Sequence, residues 1–433
     1  MSKDIIGFLR ASAPAYHPGW GGPEFSSWEE EQLSWKRTCY IGDWSFLWDL
    51  QVSGPDALRF FSDTGVNSVA KFAIGQAKHL VQCDHDGKVA AEGVLMRMSD
   101  DVFRTQSSTA FWSAFLLEKG GYDAQWTEIR TFQLQVSGPT ALAVCEKVTG
   151  QSLSDVKFMH FRPVTIAGRS VFALRQGMAG EIGFEFHGDA ADADVVHAAI
   201  MAAGEEFGIR QLGRRTAMIN HLEAAFPTGA WHYLNANFSA EAAGFPEFLA
   251  KNFDTKGIVP VLRGSFEGET IDDYTLSPFE LGWGKSVKFD HEFIGRAALE
   301  REAEHPRKRR VTLVFNADDV VRIYASLFNG DQEPLDFLEI PHPQRWVVWA
   351  DAVRQGDRTV GISSTPGYSL HFRSFLSLAY LDADVAEAGG EVEILWGAPG
   401  HRQTSIRATI APAPYKADNR RANLAAPAET TPA

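Results

Sequence analysis

The sequence predicts an α+β protein of two or three domains, and three observations carry that prediction. A nonamer occurs twice, as LQVSGPDAL at residues 50–58 and LQVSGPTAL at 134–142. In each copy alternating Leu and Val read as a strand and Ser-Gly as a sharp turn. Pro stands near the first helical position, where its missing N–H costs nothing. Leu58, Phe60 and Phe61 follow the first copy, and Leu142, Val144 and Cys145 the second, as the buried face of a short helix. Two copies imply a pseudo-symmetric core of strand–turn–helix units. Second, a length of 433 residues is ample for more than one buried core. Third, the chain after Pro306 is strand-rich up to Tyr415, as a separate β domain would be.

The elements follow in order. SSWEEE at 26–31 starts a helix, with a Ser cap and acids in the first turn. Strands at 77–81 and 88–95 flank CDHDGK, where Asp86-Gly87 is a hairpin signal. A strand at 102–106 and a helix at 110–119 precede the second nonamer. Strands at 161–166 and 170–174 lead into RQGMAGEIGFEF at 175–186. Helices are expected at 190–207 and 213–225. The aromatic-rich stretch 227–267 reads as irregular, a loop region suited to a pocket.

Charge and cysteine content exclude several classes. A net charge of −14 argues against a nucleic-acid surface, which needs a dense basic footprint. RKRR at 307–310 reads as a solvated strand entrance. Cys39, Cys83 and Cys145 are odd in number and widely spaced, which fits a reducing compartment without disulfides. No stretch has the apolar length of a signal peptide or a membrane span, so the cytoplasm is the expected location.

Three constellations carry chemistry. His79, Cys83 and His85 have the parity of one strand face, but the Asp-Gly turn explains the neighbouring acids and a fourth ligand is not evident, so no metal is expected. Gly177, Gly180 and Gly183 recur every three residues and precede more strand, unlike a dinucleotide GxGxxG, so a tight hairpin is the reading. Glu181 and Glu185 would share a face of that hairpin. A buried acid there is suited to hold a polar heterocycle by paired hydrogen bonds. HLEAAFPTGAWHY at 221–233 packs two His, a Glu, a Trp and a Tyr around a Pro-Thr-Gly break, giving an aromatic pocket with proton donors.

Together these segments resemble the aminomethyltransferase (glycine-cleavage T-protein) superfamily of folate-dependent one-carbon transferases. SGPDAL, VNSVAKFAIGQA (66–77), the hairpin, SPFELGWGKSVKFDHEFIGRAAL (277–299) and VGISSTPGYS (360–369) carry the resemblance. It implies a three-domain cloverleaf around a central folate channel. A first, folate-binding α+β domain takes 1–50 and 130–230, and a second, interleaved with it, takes 51–129 and 231–303. A β-barrel or jelly-roll domain takes 304–415, and 416–433 is a disordered tail. Ser68 stands where the T-protein pattern has Asp, which argues against glycine-cleavage chemistry.

PEFSSW, GMAG, VKFDHEFIGR and IYASLF (323–328) are most similar to bacterial tetrahydrofolate-dependent O-demethylases of lignin-derived methoxyaromatics. That resemblance implies tetrahydrofolate as cofactor, held by Glu185, by Arg215 or Arg214, and by Met178 and Val94. It implies Tyr233 as the catalytic tyrosine, with Tyr16 or His17 assisting at the ether oxygen. Trp231, Phe245 and Phe248 would wall the substrate ring, and Ser108 stands where a basic residue would meet a substrate carboxylate. Alternatives are methylene transfer from a methylenedioxy ring and a non-catalytic folate-binding module.

Overall fold

The computed structural model describes residues 5–17, 19–177, 180–239, 242–254 and 261–424. Three sheets organise them. The first nonamer opens a five-stranded sheet of β2 (Asp49–Ser53), β3 (Ala77–Cys83), β4 (Val89–Arg97), β5 (Val102–Gln106) and β6 (Gln125–Ile129), in the order β3-β4-β5-β2-β6. The second opens on β7 (Thr131–Ser137) of a six-stranded sheet. Its other strands are β1 (Tyr40–Asp43), β8 (Phe161–Ile166), β9 (Arg169–Leu174), β10 (Gly183–Asp189) and β11 (Arg210–Gln211), in the order β11-β1-β7-β10-β9-β8. Residues 49–129 are thus inserted between two strands of the six-stranded sheet.

The nonamers adopt the same geometry. β2 and β7 each end at a glycine of positive φ, +140° at Gly54 and +135° at Gly138. Helices Ala57–Thr64 and Ala141–Thr149 follow, with Pro55 and Pro139 before their caps rather than at the first helical position. A Cβ on Gly54 would lie 2.6 Å from the Asp123 carbonyl oxygen, and one on Gly138 2.6 Å from that of Thr38. Both obstacles are backbone, so neither glycine has room for a side chain. Gly138→Ala is expected to destabilise the protein by about 2 kcal/mol or more, from a strained φ and a clash together. Urea unfolding measures this, and wild-type stability would show that the backbone gives way.

Each sheet has one apolar face covered by helices. Phe132, Leu134, Val136, Phe184 and Phe186 of the six-stranded sheet pack with Val144, Cys145, Val196 and Ile200. Leu50, Val52, Leu80, Leu95 and Phe103 of the five-stranded sheet pack with Phe60, Phe61, Trp112 and Phe115. Phe245 and Phe248 join this second core from helix Phe245–Asn252, with Phe248 5.5 Å from the Phe115 ring. Both residues, expected to wall a substrate ring, are thus placed in this core. Two aromatic residues on one face of a short amphipathic helix are taken up by a core that needs large side chains.

In the third sheet, Lys308–Phe315, Val347–Gln355, Arg358–Ser364, Ser374–Asp382, Glu391–Trp396 and Thr404–Ala411 close into a six-stranded antiparallel barrel. Helix Ala317–Ser326, whose Asn316 caps two N–H groups, interrupts this strand-rich region.

The segment expected as a disordered tail is packed as far as Leu424. Lys416 is buried, Asn419 N–H donates to Gly180 O (2.7 Å), Arg175 Nη2 donates to Ala422 O (2.5 Å), and Leu424 lies on the core of the six-stranded sheet. Backbone groups, Arg175, and the side chains of Lys416 and Asn419 against Glu181 hold this strap, long-range partners that do not register in a polar, Ala/Pro-rich composition.

Candidate functional site

The faces of the two sheets that carry no helices turn toward each other. By strand alternation β1, β7 and β10 present Tyr40, Gln133, Gln135, Ser137, Glu185 and His187 here, all of them buried. The opposing face of the five-stranded sheet carries Asp49, His79, Glu92, Val94, Met96, Arg104 and Gln106. Gln106 reaches across, its Nε2 3.5 Å from Glu185 Oε1, and Gln133 Nε2 donates to Asp49 Oδ1 (2.9 Å). A small pocket between the sheets is lined by Asp49, Val94, Met96, Arg104, Phe172 and His187, among others.

A buried sheet face this polar is costly unless its groups are paired. Glu185 takes Gln176 Nε2 on Oε2 (3.2 Å), and His187 Nε2 lies 2.7 Å from Oε1. Burial raises the Asp49 carboxyl to about 6, against the pull of Thr131, His187 and Gln133. The pairing is incomplete. Gln133 Oε1, Gln135 Nε2 and Asn220 Oδ1 are buried without a hydrogen-bond partner.

Helix Ala217–Glu223 and the loop after it form a third wall. Its Asn220 and His221 are fully buried, and His221 stacks on Trp44 at 5.2 Å and donates to or accepts from Thr228 Oγ1 (3.0 Å). Burial, with the Lys416 charge, holds the His221 imidazole down to about 3, so it is neutral. The helix is fixed from behind by Glu223, which takes Trp35 Nε1 (3.0 Å) and Ser369 Oγ (2.6 Å) and lies 3.3 Å from Lys36 Nζ.

From His221 the site runs two ways. On one side, Phe226 (5.8 Å from His221) leads to His79 and Trp283. His79 Nε2 lies 3.0 Å from Glu92 Oε2, with Trp283 edge-on at 4.8 Å. The Tyr233 ring is 6.1 Å from Trp283, and its buried hydroxyl makes no well-formed hydrogen bond, the Asn235 side chain engaging it only weakly. Burial, with the nearby Glu92 carboxylate, pushes the Tyr233 phenol well above its usual range. On the other side lies an aromatic box. His17 stacks on Trp20 at 4.4 Å, and Phe46, Trp231 and Trp346 stand 5.2–5.4 Å from it. Burial, helped by Arg214 and His342, lowers His17 to about 3.

The expected site residues fall into three groups. Glu185, Val94, Tyr233, His17 and Trp231 are gathered around this space. Tyr16, the alternative to His17, is exposed, with the Arg214 and Arg345 guanidiniums 5.7 and 5.1 Å from its ring. Arg215 is drawn away from Glu185 to pair with Glu24 and donate to Ile340 O (2.7 Å), and Arg214 donates to His17 O. Ser108 spends its hydroxyl on the backbone of Glu92, donating to its O (2.9 Å) and accepting from its N–H (3.0 Å). Met178 lies outside the described residues. Ser68 donates to Asp290 Oδ2 (2.7 Å) at the surface.

The His79–Glu92 pair, Asn220, Trp44, and the inward row of Tyr40, Gln133, Gln135 and His187 are not named by sequence reasoning. The signal for the row was the polar half of TFQLQVS, where every second residue is polar.

A buried carboxylate among amides, a neutral histidine, and a phenol beside a His–Glu pair, all between two pseudo-symmetric sheets, define a site for a polar heterocycle and an aromatic ring together. The comparisons assign that class to a family: the GCVT N-terminal domain matches residues 7–245, and the chain belongs to this family. A syringate O-demethylase of a Sphingobium species is 34% identical over 96% of this chain and 94% of its own length. A sesamin methylene transferase of a Sinomonas species is 35% identical over 90% of this chain and 89% of its own. An aminomethyltransferase of Halalkalibacterium halodurans is 29% identical over 67% and 72%. The crystal structure of the glycine cleavage system aminomethyltransferase T from Bartonella henselae superposes with a TM-score of 0.66 at 16% identity, covering 94% of this chain and 95% of that one, and shows the same fold.

Proposed function

We propose that this protein is a tetrahydrofolate-dependent O-demethylase, which moves the methyl group of a methoxyaromatic to N5 of tetrahydrofolate and yields a phenol and 5-methyltetrahydrofolate. The observation that carries the reading is the adjacency of the buried Glu185 face and the aromatic box of His17, Trp20, Phe46, Trp231 and Trp346, joined through His221 and Trp44. The relatives that act on syringate and sesamin support it.

The residues present fit a folate. Glu185 is an acceptor-only group, buried in a pocket with amides, and suits the adjacent N–H groups of an aminopterin edge. Folate supplies a nucleophilic amine that accepts the carbon. The chain's own residues do the rest. The aromatic side chains on both sides of His221, Phe226 and Trp283 next to Tyr233 and the box next to His17, hold the ring and exclude water, and fixing two reactants in line supplies roughly 7–11 kcal/mol of the barrier. An aryl ether resists cleavage because phenolate is a poor leaving group, so a proton must be held where the oxygen departs. Tyr233 stays protonated throughout the physiological range and is the donor in this reading. A donor of that kind is worth about 10²–10⁴-fold. The His79–Glu92 pair stands beside it to orient and re-supply the proton.

Methylene transfer from a methylenedioxy ring, giving a catechol, is the second reading, favoured by the sesamin relative. Incubation with tetrahydrofolate and a panel of methoxy- and methylenedioxy-aromatics separates the two by the mass of the folate product. We expect 5-methyltetrahydrofolate. Methylenetetrahydrofolate would establish the second reading, and no one-carbon folate from any substrate would leave only a folate-binding module.

A further inference from the structure

The C-terminal strap brings a buried cation to the site. The Lys416 side chain is 3% exposed, and its Nζ stands between two carboxylates, 3.7 Å from Glu181 Oε1 and 3.8 Å from Glu223 Oε2. Burial lowers its ammonium to about 8, against the pull of Glu223 and Glu181, so it is charged at pH 7. The two acids belong to different walls of the site. Glu181 lies in the link between β9 and β10, which carries Gln176 and leads to Glu185. Glu223 ends the helix that carries His221. The backbone of the strap joins the same two walls. Tyr415 and Lys416 N–H donate to Glu223 O (3.2 and 3.3 Å), and Asn419 N–H donates to Gly180 O (2.7 Å). Gly180, at φ +77°, makes room for the lysine stem, because a Cβ there would lie 2.9 Å from Lys416 Cε.

The two acids depend on Lys416 unequally. Glu223 also has Lys36 Nζ at 3.3 Å and accepts from Trp35 and Ser369. For Glu181, Lys416 is the one cation paired with it among the described residues, and Asn419 Nδ2 (3.1 Å) comes from the same strap. A largely buried carboxylate stripped of its cation is strongly disfavoured and moves toward water. Without the lysine the helix would stay and the link would shift.

We propose that Lys416 is a positioning residue, which sets the link before β10, and with it Glu185, against the helix that carries His221. Its effect on catalysis rests on the folate reading above. A shifted link weakens folate binding at Glu185, whereas Tyr233, packed in a separate cluster with Val81, Leu276 and Trp283, keeps its place.

Methionine is close to lysine in length and carries no charge, so Lys416→Met tests the cation on the full chain at pH 7. Hydrogen exchange of segment 180–186 in the unliganded protein, followed by mass spectrometry, is expected to quicken about tenfold. The Kd for tetrahydrofolate, from titration calorimetry, is expected to weaken about tenfold, with kcat at saturating folate within about twofold of wild type. Adding Glu181→Gln removes the stranded carboxylate, so the double variant is expected to recover most of both losses. A role in packing alone predicts no such recovery. Lys416→Gln serves by the same criteria if the methionine variant does not accumulate. Exchange unchanged in the lysine variant, no recovery in the double variant, or a kcat that falls as far as affinity overturns the inference. Glu185→Gln reports separately on the reading beneath it. If Glu185→Gln binds poorly and Lys416→Met binds as wild type does, only this inference falls. If Glu185→Gln binds normally, the folate reading falls and the exchange result alone decides the role of Lys416.

Discussion

Glu185→Gln is expected to weaken tetrahydrofolate binding by roughly 10–100-fold, the loss of charge-assisted hydrogen bonds from a buried site. The carboxylate is 2% exposed and its lone pairs are the concentrated acceptor capacity of an otherwise amide-lined face. Glutamine keeps the size but replaces one acceptor oxygen with a donor, so either Gln106 or Gln176, which donate to different oxygens of Glu185, must flip its amide or lose its bond. That donor would face the N–H groups of the ligand, so part of the loss is repulsive. His187, 2.7 Å from Glu185 Oε1, would also face an amide in place of a carboxylate. The effect falls on binding and on kcat/KM, whereas kcat at saturating folate should change far less, because the pterin edge is remote from the transferred carbon. Titration calorimetry and steady-state kinetics together check it, and affinity within twofold of wild type would remove Glu185 from the folate site.

How far the site was legible in the sequence differs between its parts. The nonamers were legible because a strand, a forced glycine turn and a short helix are local events, and the two copies do superpose in kind, down to the clash each glycine avoids. Of the hairpin read around Gly177, Gly180 and Gly183, the antiparallel pairing of β9 and β10 was legible, but not as a tight turn, since Leu174 stands opposite Glu185 and Gly183 already belongs to β10. What alternation does not reveal is which polar face is solvated. LQVSGPDAL and LQVSGPTAL read alike, yet Gln51 is half-buried at the edge of its sheet's inner face, where Arg104 donates to it (3.2 Å), while Gln135 is wholly enclosed. The difference arises from a second sheet that covers β7, a long-range fact. The placements of Phe248 and Arg215 were not legible for a related reason. An aromatic residue serves a core as readily as a pocket, and Arg215 is bound by Glu24, nearly two hundred residues away in the chain. His79 was legible as a chemistry-bearing residue, but its partner Glu92 lies across a hairpin and outside any spacing rule for metals.

Tyr233→Phe tests the chemical step rather than binding. The ring is nearly inaccessible among Val81, Val89, Leu276 and Trp283, so phenylalanine keeps the packing and removes a single hydroxyl that Asn235 engages only weakly. Deleting a weakly paired buried hydroxyl costs little, so the variant is expected to melt close to wild type. If that hydroxyl protonates the departing phenolate, its loss lowers kcat by roughly 10²–10⁴-fold with the folate Kd nearly unchanged. The loss should also track the leaving group. A methoxyaromatic whose phenol is more acidic needs the donor less, so an electron-withdrawing substituent should narrow the gap between variant and wild type. The raised phenol pKa sets the sign of the pH dependence. Tyr233 keeps its proton well past the normal range, so wild-type kcat should not decline near pH 10 through loss of this donor. A kcat within threefold of wild type, or a rate gap indifferent to the leaving group, would take Tyr233 out of proton transfer and turn attention to the His79–Glu92 pair, whose carboxylate acts on this phenol.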